Sequence, residues 1–449
     1  MTAATAFAMM RLVLALVLLS LPALTAGARA LGAQGTLGFA RDARIVEAMA
    51  EVSPARLRAM DSALVAFGTR HTLSDTLSGT RGIGAARRWI HAQLTQFSAD
   101  CGGCLRVEYD TGSAVITRHP DRPTWHLVNV VAWLPGRDTS RVVVIGGHFD
   151  SCICSISSLD AESDAPGADD DGSGTVAVME LARVVGRRFP EGLETSIAFV
   201  LYTGEELGLL GSTIFAGRLQ REGKTVTAAF TDDIVGNVVA DDGRVDSTSV
   251  RVFAVDSLAL GGSELARYVW GIGALYQPAF EVVPVFRLDR LGRGGDHAPF
   301  HRQGLPALRF SERLENYKRQ HLPTDVLEHV DFSYVAKVAR LNLATVVALA
   351  AAPARPARTG YQRDRASGGQ SFTIRWDPVP GAVSYDLLVR RTTAPTYTRI
   401  VAVGNVTSFL LDEQLDDVWV GVRAVGANGH RSLTTVVGAP GSARLPAQR

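Results

Sequence analysis

Imidazole and carboxylate side chains are concentrated in one turn-rich stretch, Gly146–Gly174 (GGHFDSCICSISSLDAESDAPGADDDGSG). His148 and Asp150 follow a buried strand that the apolar run RVVVI predicts over residues 141–145. The triplet Asp169–Asp171 stands directly before a segment with helical periodicity. Ligands of open α/β sheets bind outside the carboxyl ends of the strands, and imidazole nitrogens with carboxylate oxygens suit a zinc-type ion. The stretch therefore predicts part of a metal site at the edge of a sheet.

Further acidic and imidazole residues stand later in the chain, at the ends of predicted strands or in loops. Glu205 and Glu206 directly follow the apolar run TSIAFVLYT. Asp232 and Asp233 end the strand predicted from TAAFTDDI, and His321 lies in a late loop. Taken singly, each has an ordinary interpretation as a surface, capping or solvated residue. Together they fall at one edge of one predicted sheet, where five ligands with a shared carboxylate suffice for two divalent ions about 3.5–4 Å apart.

Alternating strands and helices must position these residues. The pattern predicts an α/β fold, a three-layer sandwich around a mixed, largely parallel central sheet, over residues 31–352. Strands are predicted over residues 105–109, 114–118, 126–134, 141–145, 195–203, 227–234, 249–255 and 307–311. Helical segments are predicted over residues 40–67, 82–97, 175–188, 210–222, 263–275 and 332–351. The 449 residues, 46% of them hydrophobic, suffice for more than one domain and a sizeable core.

A second, smaller domain is predicted after a linker. The Pro-, Ala- and Arg-rich segment around AAAPARPART indicates a linker over residues 353–366. Short alternating runs then predict a small all-β sandwich over residues 367–441, followed by a tail at 442–449. With Trp376, the turn PVP and Tyr385, this part resembles a fibronectin type III domain. It holds few ionisable clusters, so we expect an interaction or stability module with a surface or a polymer as its candidate partner.

The first 30 residues predict a secretory signal peptide. Arg11 precedes the apolar run LVLALVLLSLPAL, and the small residues Ala28 and Ala30 suit a cleavage site. An uncleaved anchor is the alternative, although the run is short for a membrane span of about 20 residues. We therefore expect a secreted or periplasmic protein with no membrane span after cleavage. The formal net charge is +1 and no dense basic block occurs, so a nucleic-acid partner is not expected.

Four cysteines form two close pairs, Cys101-Gly-Gly-Cys104 and Cys152-Ile-Cys154. In an exported protein an even number favours disulfides, and three pairings remain open. Zinc ligation by C-x-x-C together with C-x-C is the alternative. A thioredoxin-like role is less favoured because no thioredoxin pattern surrounds CGGC. Two local bridges and cross-pairing of the two clusters are both compatible with the sequence.

Five motifs follow one another within residues 127–350: GGHFDS…PGADDDGSG, YTGEELGLLGS, TDDIVGN, GGDHAPFHRQGLPA and ENYKRQHLPTD. In this order they resemble the co-catalytic zinc aminopeptidases, a family that includes bacterial leucyl aminopeptidase and is related to glutamate carboxypeptidase and glutaminyl cyclase. The resemblance implies a zinc aminopeptidase that acts on peptides. A carboxypeptidase or dipeptidase, a glutaminyl cyclase-like enzyme and a non-catalytic binding member are the alternatives. No H-E-x-x-H, G-x-S-x-G or P-loop motif supports another class of enzyme.

Carried over residue by residue, the resemblance implies two zinc ions that share one ligand. His148, Asp170 and Asp233 would hold one ion. Asp170, Glu206 and His321 would hold the other, so that Asp170 bridges the pair. Two such ions activate a water molecule and polarise the carbonyl group of the scissile bond.

Other residues of these motifs receive catalytic or supporting roles from the same resemblance. Glu205 would act as general base and then as general acid toward the departing amine. Asp150 would orient the metal-bound imidazole that precedes it, as carboxylates near such ligands do. Tyr317 would donate a hydrogen bond to the developing oxyanion. Asp296 and His297 would line or support the substrate pocket.

The segment FRLDRLGRGG at residues 286–295 departs from the leucyl enzyme, whose substrate loop carries a disulfide. Here no cysteine follows Cys154, and Arg287, Arg290 and Arg293 occupy the segment. A solvated surface loop is one interpretation of these arginines. Recognition of an acidic side chain or of a substrate carboxylate is the other.

Overall fold

The computed structural model describes residues 35–256, 261–365, 368, 370–438 and the backbone of 443–444, and the predicted signal peptide at 1–30 lies outside the described residues. The helices are α1 (Ala43–Ala50), α2 (Pro54–Val65), α3 (Gly82–Asp100), α4 (Gly174–Arg188), α5 (Leu210–Arg221), α6 (Gly262–Tyr276), α7 (Ala298–Arg302) and α8 (Phe332–Ala350). The strands of the first domain are β1 (Arg106–Val115), β2 (Thr124–Leu134), β3 (Asp138–His148), β4 (Thr195–Tyr202), β5 (Thr225–Asp232), β6 (Ser249–Phe253), β7 (Glu281–Val285) and β8 (Ala307–Glu312).

One eight-stranded sheet forms the centre of the first domain, in the order β1-β2-β4-β3-β5-β8-β6-β7. Strands β4, β3, β5 and β8 run parallel to one another. By contrast, β1 with β2, β2 with β4, and β6 with β8 pair antiparallel. The predicted α/β class with a mixed sheet is therefore confirmed. Its parallel centre brings the carboxyl ends of β3, β4 and β5 to one edge.

Side chains of the sheet alternate between two apolar layers, because successive residues of a strand point to opposite faces. In β3, Val143 and Ile145 belong to one buried apolar cluster to which helices α1, α2, α3, α4, α6 and α8 also contribute. The intervening Val142 and Val144 pack instead with Phe215 of α5 and with α7. Helices thus cover both faces of the sheet, which confirms the predicted three layers.

Among the described residues, α8 is the one helix that is long and apolar enough to cross a membrane, and 83% of its apolar window is buried inside the protein. The carboxylate of Asp331 caps its first turn by accepting the N–H groups of Ser333 at 2.9 Å and Tyr334 at 3.1 Å. The helix packs against α1, α2, α4 and α6. Its apolar composition is accounted for by this packing within the core.

The second domain consists of two four-stranded sheets, in the orders β13-β10-β9-β16 and β12-β11-β14-β15. Its strands are β9 (Arg358–Arg363), β10 (Phe372–Trp376), β11 (Ala382–Arg391), β12 (Arg399–Gly404), β13 (Ser408–Leu411), β14 (Val418–Gly426), β15 (Thr435–Val436) and β16 (Ala443–Arg444). The small all-β sandwich is confirmed, whereas the likeness to fibronectin type III stays a prediction.

Two predicted boundaries of this domain are wrong. Strand β9 lies inside the predicted linker 353–366, so the β domain begins at Arg358 at the latest. Strand β16 lies inside the predicted tail 442–449 and pairs in parallel with β9. Both segments are polar or short and lack an alternating apolar pattern. Strand β9 enters the sheet through antiparallel backbone pairing with β10, and β16 enters it through pairing with β9.

A buried polar seam, formed by Leu37, Phe39, Asp386 and Arg423, joins the segment before α1 to the second domain. The guanidinium of Arg423 lies 2.8 Å from Asp386 Oδ2 and donates to the carbonyl oxygen of Leu37 at 2.6 Å. It also lies 4.9 Å from the centroid of the Phe39 ring. The seam therefore holds the second domain against the first with contacts that exclude water.

Replacing Arg423 with Ala is expected to lower the free energy of unfolding by about 3 kcal/mol, the low end for a broken buried pair, because Arg431 still contacts Asp386. Urea unfolding followed by tryptophan fluorescence measures the change. The matched control is Arg391→Ala, whose side chain is 67% exposed, with an expected change within about 0.5 kcal/mol. Equal effects of the two substitutions would contradict a stabilising seam.

Candidate metal centre

The carboxyl ends of three neighbouring parallel strands carry predicted ligands. His148 is the last residue of β3, Glu206 lies shortly beyond the end of β4, and Asp233 directly follows β5. Because β3 pairs in parallel with both β4 and β5, these side chains meet at one edge. Asp170 enters from the turn before α4, and His321 from the segment between β8 and α8. The structure thus brings all five predicted ligands together.

The first donor group surrounds the buried imidazole of His148. Its Nε2 atom lies 3.4 Å from Asp170 Oδ1 and 3.8 Å from Asp233 Oδ1. Its Nδ1 atom lies 3.1 Å from the carbonyl oxygen of Asp150 and 3.5 Å from the carboxylate of that residue. The backbone therefore occupies Nδ1, and Nε2 faces the two aspartates.

The second donor group surrounds His321. Its Nε2 atom lies 3.0 Å from Asp170 Oδ2 and 3.2 Å from Glu206 Oε2. Its backbone has a positive φ of 58°, and its carbonyl oxygen accepts the N–H of Ser155 at 3.2 Å. Asp170 thus faces His148 with one carboxylate oxygen and His321 with the other, which is the arrangement of a shared ligand.

Neighbouring carboxylates fix the turn that carries Asp170. Asp325 accepts the N–H groups of Asp169 and Asp170, each at 2.9 Å. Asp171 accepts the N–H of His148 at 3.0 Å and the first N–H of α4 at 2.9 Å. The peptide bond between Asp170 and Asp171 is cis. Asp171 therefore ties the end of β3 to the start of α4, while Asp170 is left free to face both histidines.

The carboxylate of Asp150 holds the turn that carries the two glutamates. Its oxygens accept the N–H of Glu205 at 3.2 Å, the N–H of Glu206 at 3.3 Å and the hydroxyl of Thr72 at 2.8 Å. The resemblance implied that the Asp150 carboxylate orients the imidazole of His148. The Asp150 carbonyl oxygen lies nearer to that imidazole than the carboxylate does. Thr72 was missed because nothing in its local sequence marks a contact 78 residues away.

A buried arginine contacts the predicted ligand Asp233. Arg309 in β8 has no exposed surface, and its guanidinium lies 2.9 Å from Asp233 Oδ1 and 3.0 Å from the carbonyl oxygen of the same residue. Asp289 contacts another edge of the guanidinium at 3.1 Å. These contacts fix the orientation of Asp233. Arg309 was not predicted from the sequence, although a single charged residue inside the apolar strand ALRFSE is a signal for a buried ion pair.

Both histidines lie in a strongly negative environment. Burial opposes protonation of His148, but Asp150 and two further aspartates outweigh it and raise the pKa of His148 well above its ordinary value. Burial also opposes protonation of His321, whereas Glu206 and Asp170 raise its pKa to about 11. The two donor groups therefore attract positive charge, and a divalent cation supplies it without protonating the ligands.

A cavity of about 360 Å³ opens onto both donor groups. It is lined by Arg118, Asp170, Glu205, Glu206, Gly208, Leu209, Asp233, Arg290, Gly292, Arg293, Gly294 and His321. The Glu205 carboxylate lies within 4.8 Å of the donor atoms of His148 and Asp233, and desolvation raises its pKa well above the ordinary value. Glu205 therefore stands beside the first donor group, on the open side of the site.

The three predicted substrate-binding residues are absent from the lining of this cavity. Asp296 and His297 are fully buried, and His297 Nε2 lies 2.7 Å from the carbonyl oxygen of Leu288. Burial raises the pKa of Asp296 to about 7. Tyr317 is 55% exposed, and its ring lies 6.0 Å from the guanidinium of Arg293. Asp296 and His297 thus lie in the protein interior and do not line the cavity, and their supporting role and the oxyanion role of Tyr317 stay predictions.

Two local disulfides resolve the pairing that the sequence left open. Cys101 pairs with Cys104 after α3, and Cys152 pairs with Cys154 in the segment after β3. The zinc-ligand interpretation of these cysteines is therefore wrong. Both sulfur atoms of the second disulfide lie within 4.8 Å of a carboxylate oxygen of Glu206, so this disulfide packs against the metal centre.

Comparison with known proteins identifies the family. Residues 129–346 match the sequence family described as peptidase family M28. A protein from Pyrenophora tritici-repentis, described as a probable zinc metalloprotease, is 37% identical over 415 residues, which cover 85% of this chain and 84% of that protein. This chain belongs to peptidase family M28. The predicted family resemblance is thereby confirmed.

Two solved structures share the fold of this M28 peptidase. The LapA aminopeptidase of Legionella pneumophila superposes with a TM-score of 0.56 at 21% identity, covering 70% of this chain and 76% of that one. LapB of the same organism superposes with a TM-score of 0.56 at 20% identity, covering 71% and 77%. At these identities the likeness concerns the fold alone.

The donor atoms of the M28 peptidase fit zinc. Each donor group offers an imidazole nitrogen and carboxylate oxygens, which zinc accepts in a site that keeps one position open for water. Glu206 Oε1 is buried and has no hydrogen-bond donor among the described residues, as expected for an oxygen that faces an ion. The family and the donor set together make this chain a zinc metalloprotease.

Replacing Arg309 with Met is expected to weaken zinc binding about tenfold or more, because Asp233 loses the group that orients it. Competition between the metal-free protein and a chromogenic chelator measures the affinity. Arg251→Met is the matched control, since Arg251 lies in β6 and contacts Glu315 instead of a ligand. Equal zinc affinities for Arg309→Met and the wild type would contradict this role.

Proposed function

We propose that the protein is a secreted aminopeptidase that removes N-terminal residues from peptides with two zinc ions and Glu205 as general base. The shared carboxylate carries the proposal: Asp170 turns Oδ1 toward His148 and Oδ2 toward His321. A carboxylate whose two oxygens face separate donor groups supports a pair of ions over a single one. The cavity beside it leaves room for a peptide end.

The ligands divide into two sets with one common member. His148 and Asp233 would hold one ion together with Asp170, and Glu206 and His321 would hold the other together with Asp170. Two zinc ions, when bound, acidify a water molecule and polarise the carbonyl group of the scissile bond. Arg309 orients Asp233, and the Asp150 carbonyl group orients His148, so these two ligands are held by residues outside the ligand sets.

Glu205 moves the proton in this mechanism. Its carboxylate accepts a proton from the attacking water and later donates it to the nitrogen of the departing amine, so the released peptide leaves without a negative charge on nitrogen. Asp150 holds the backbone from which this side chain extends, because its carboxylate accepts the N–H of Glu205. Thr72 in turn holds Asp150 through a hydrogen bond of 2.8 Å.

The proposed secretion rests on the signal peptide predicted at residues 1–30. The disulfides Cys101–Cys104 and Cys152–Cys154 support it, because disulfides persist mainly in oxidising compartments. A carboxypeptidase or dipeptidase on the same metal centre is the second candidate, which the arginines of the cavity favour. For the β domain we propose a surface or polymer contact.

Replacing Glu205 with Gln is expected to lower kcat by about 10²–10⁴-fold, because the amide accepts no proton from water. Zinc content is expected to remain at two equivalents per chain, since Glu205 stands outside both ligand sets. Steady-state kinetics and elemental analysis measure the two quantities. Glu191→Gln, at an exposed position after α4, is the control. Near-normal turnover by Glu205→Gln, or one zinc in fully active wild type, would reject the proposal.

Blocking each end of a peptide separates the two exopeptidase candidates. We expect N-acetylation of a peptide longer than a dipeptide to abolish its hydrolysis and C-terminal amidation to leave hydrolysis intact, because an aminopeptidase binds the free N-terminus near the metal centre. Liquid chromatography of the products measures both rates, with a zinc chelator as the control that stops all cleavage. Hydrolysis that instead requires a free C-terminus would identify a carboxypeptidase.

A further inference from the structure

The cavity beside Glu205 has a basic side that the proposed hydrolysis leaves unused. Arg118, Arg290 and Arg293 line it together with the metal ligands. A guanidinium stays charged at physiological pH and presents its donors in a planar fork that matches a carboxylate. The partners of these three arginines therefore decide how much positive charge faces a substrate.

Arg290 and Arg293 lie on the segment between β7 and α7 and share one carboxylate. The buried Glu315 contacts Arg290 and Arg251, and its Oε2 atom lies 3.8 Å from Arg293 Nη1. The closer partner of Arg293 is the neutral amide of Gln320, at 2.9 Å. The single negative charge of Glu315 is thus shared by the guanidinium groups of three arginines.

The second carboxylate of this cluster is also shared. Asp289 lies 3.0 Å from Arg290 Nε and 3.1 Å from Arg309 Nη1. Arg309 contacts Asp233 as well, but that carboxylate belongs to the metal centre. Within the described part of the chain, only Glu315 and Asp289 remain to neutralise the guanidinium groups of this cluster, which are those of Arg251, Arg290, Arg293 and Arg309. The surplus charge falls on Arg293, whose side chain is 28% exposed.

Arg118 adds a cation from a distant part of the chain. It lies in the loop between β1 and β2, and its Nη1 atom donates to the carbonyl oxygen of Glu206 at 2.8 Å. Among the residues that the structure describes, Arg118 forms no ion pair. A carbonyl oxygen carries no formal charge, so the guanidinium keeps its full positive charge at the cavity wall.

We infer that Arg118 and Arg293 form a carboxylate subsite for the substrate, an inference that rests on the proposed exopeptidase function. The carboxylate is either the side chain of an N-terminal acidic residue or the free C-terminus of a dipeptide. Both present the same planar pair of oxygens to a guanidinium. Arg118 is exposed and the Arg293 side chain is 28% exposed, so both guanidinium groups are accessible to a substrate. Substrates with a carboxylate close to the scissile bond are therefore preferred.

Matched substrate pairs test the subsite. Glutamyl and glutaminyl anilides differ only in the side-chain charge, and Leu-Gly and Leu-Gly amide differ only at the C-terminus. We expect the wild type to favour the charged member of at least one pair in kcat/KM by about tenfold, and Arg118→Gln and Arg293→Gln each to remove most of that preference. Ratios within a pair cancel any general effect of a substitution on the metal centre.

Arg287→Gln is the matched control, because Arg287 lies on the same segment, is exposed and does not line the cavity. Its preference is expected to equal that of the wild type. The pair that loses its preference in the other two variants identifies the source of the carboxylate. A wild type without preference for a charged substrate, or a preference retained in both Arg118→Gln and Arg293→Gln, overturns the inference.

Calorimetry separates this inference from the proposed hydrolysis. The zinc-loaded Glu205→Gln protein is expected to turn substrates over about 10²–10⁴-fold more slowly, which leaves time to measure their binding. Adding Arg293→Gln to it is expected to reduce the ratio of glutamyl to glutaminyl anilide affinity about tenfold, or the ratio for the Leu-Gly pair in the same way. An unchanged ratio in both pairs overturns the subsite. Absence of hydrolysis in every form rejects the proposed function alone, because the binding ratios still decide the subsite.

Discussion

The carboxylates of the metal centre repel one another, and the surrounding structure must offset this repulsion. Asp170, Glu205, Glu206 and Asp233 line one small cavity, and Asp150 is buried against the backbone of the two glutamates, so little water is left to screen these charges. Without an ion, His148 and His321 compensate for this charge only by staying protonated, because the carboxylates raise the pKa of both imidazoles. Divalent cations bound between the carboxylates remove the same repulsion. The excess of carboxylates in the site is therefore the reason that it binds metal.

The fold holds these charges in place with backbone N–H groups. Asp150 accepts N–H groups from the turn after β4, and Asp171 accepts one from the end of β3. Asp325, which follows His321 by one short turn, accepts two from the segment that carries Asp170. Each supporting carboxylate therefore links loops from different parts of the chain. The parallel centre of the sheet sets their spacing, and these hydrogen bonds set the direction of each ligand.

Short motifs at strand ends were enough to locate the ligands that the structure brings together, because each ligand stands beside its own strand or turn. Contacts across the sequence were not predictable in this way: Thr72 and Arg309 reach the site only after folding. The same limit applies to the fold. One helical segment was predicted where Ser53 caps and Pro54 begins a second helix, and β9 lacks the alternating apolar pattern that marks a strand.

The seam makes the attachment of the β domain depend on a few residues that precede α1. Leu37 is 3% exposed, and its carbonyl oxygen accepts a hydrogen bond from the guanidinium of Arg423. The Phe39 ring lies over the same guanidinium. A protease that cut between Phe39 and α1 would uncover a charged group inside the molecule and loosen the β domain. The proposed cleavage of a signal peptide near residue 30 would leave this segment whole, so Leu37 and Phe39 would keep their contacts with Arg423 of the β domain.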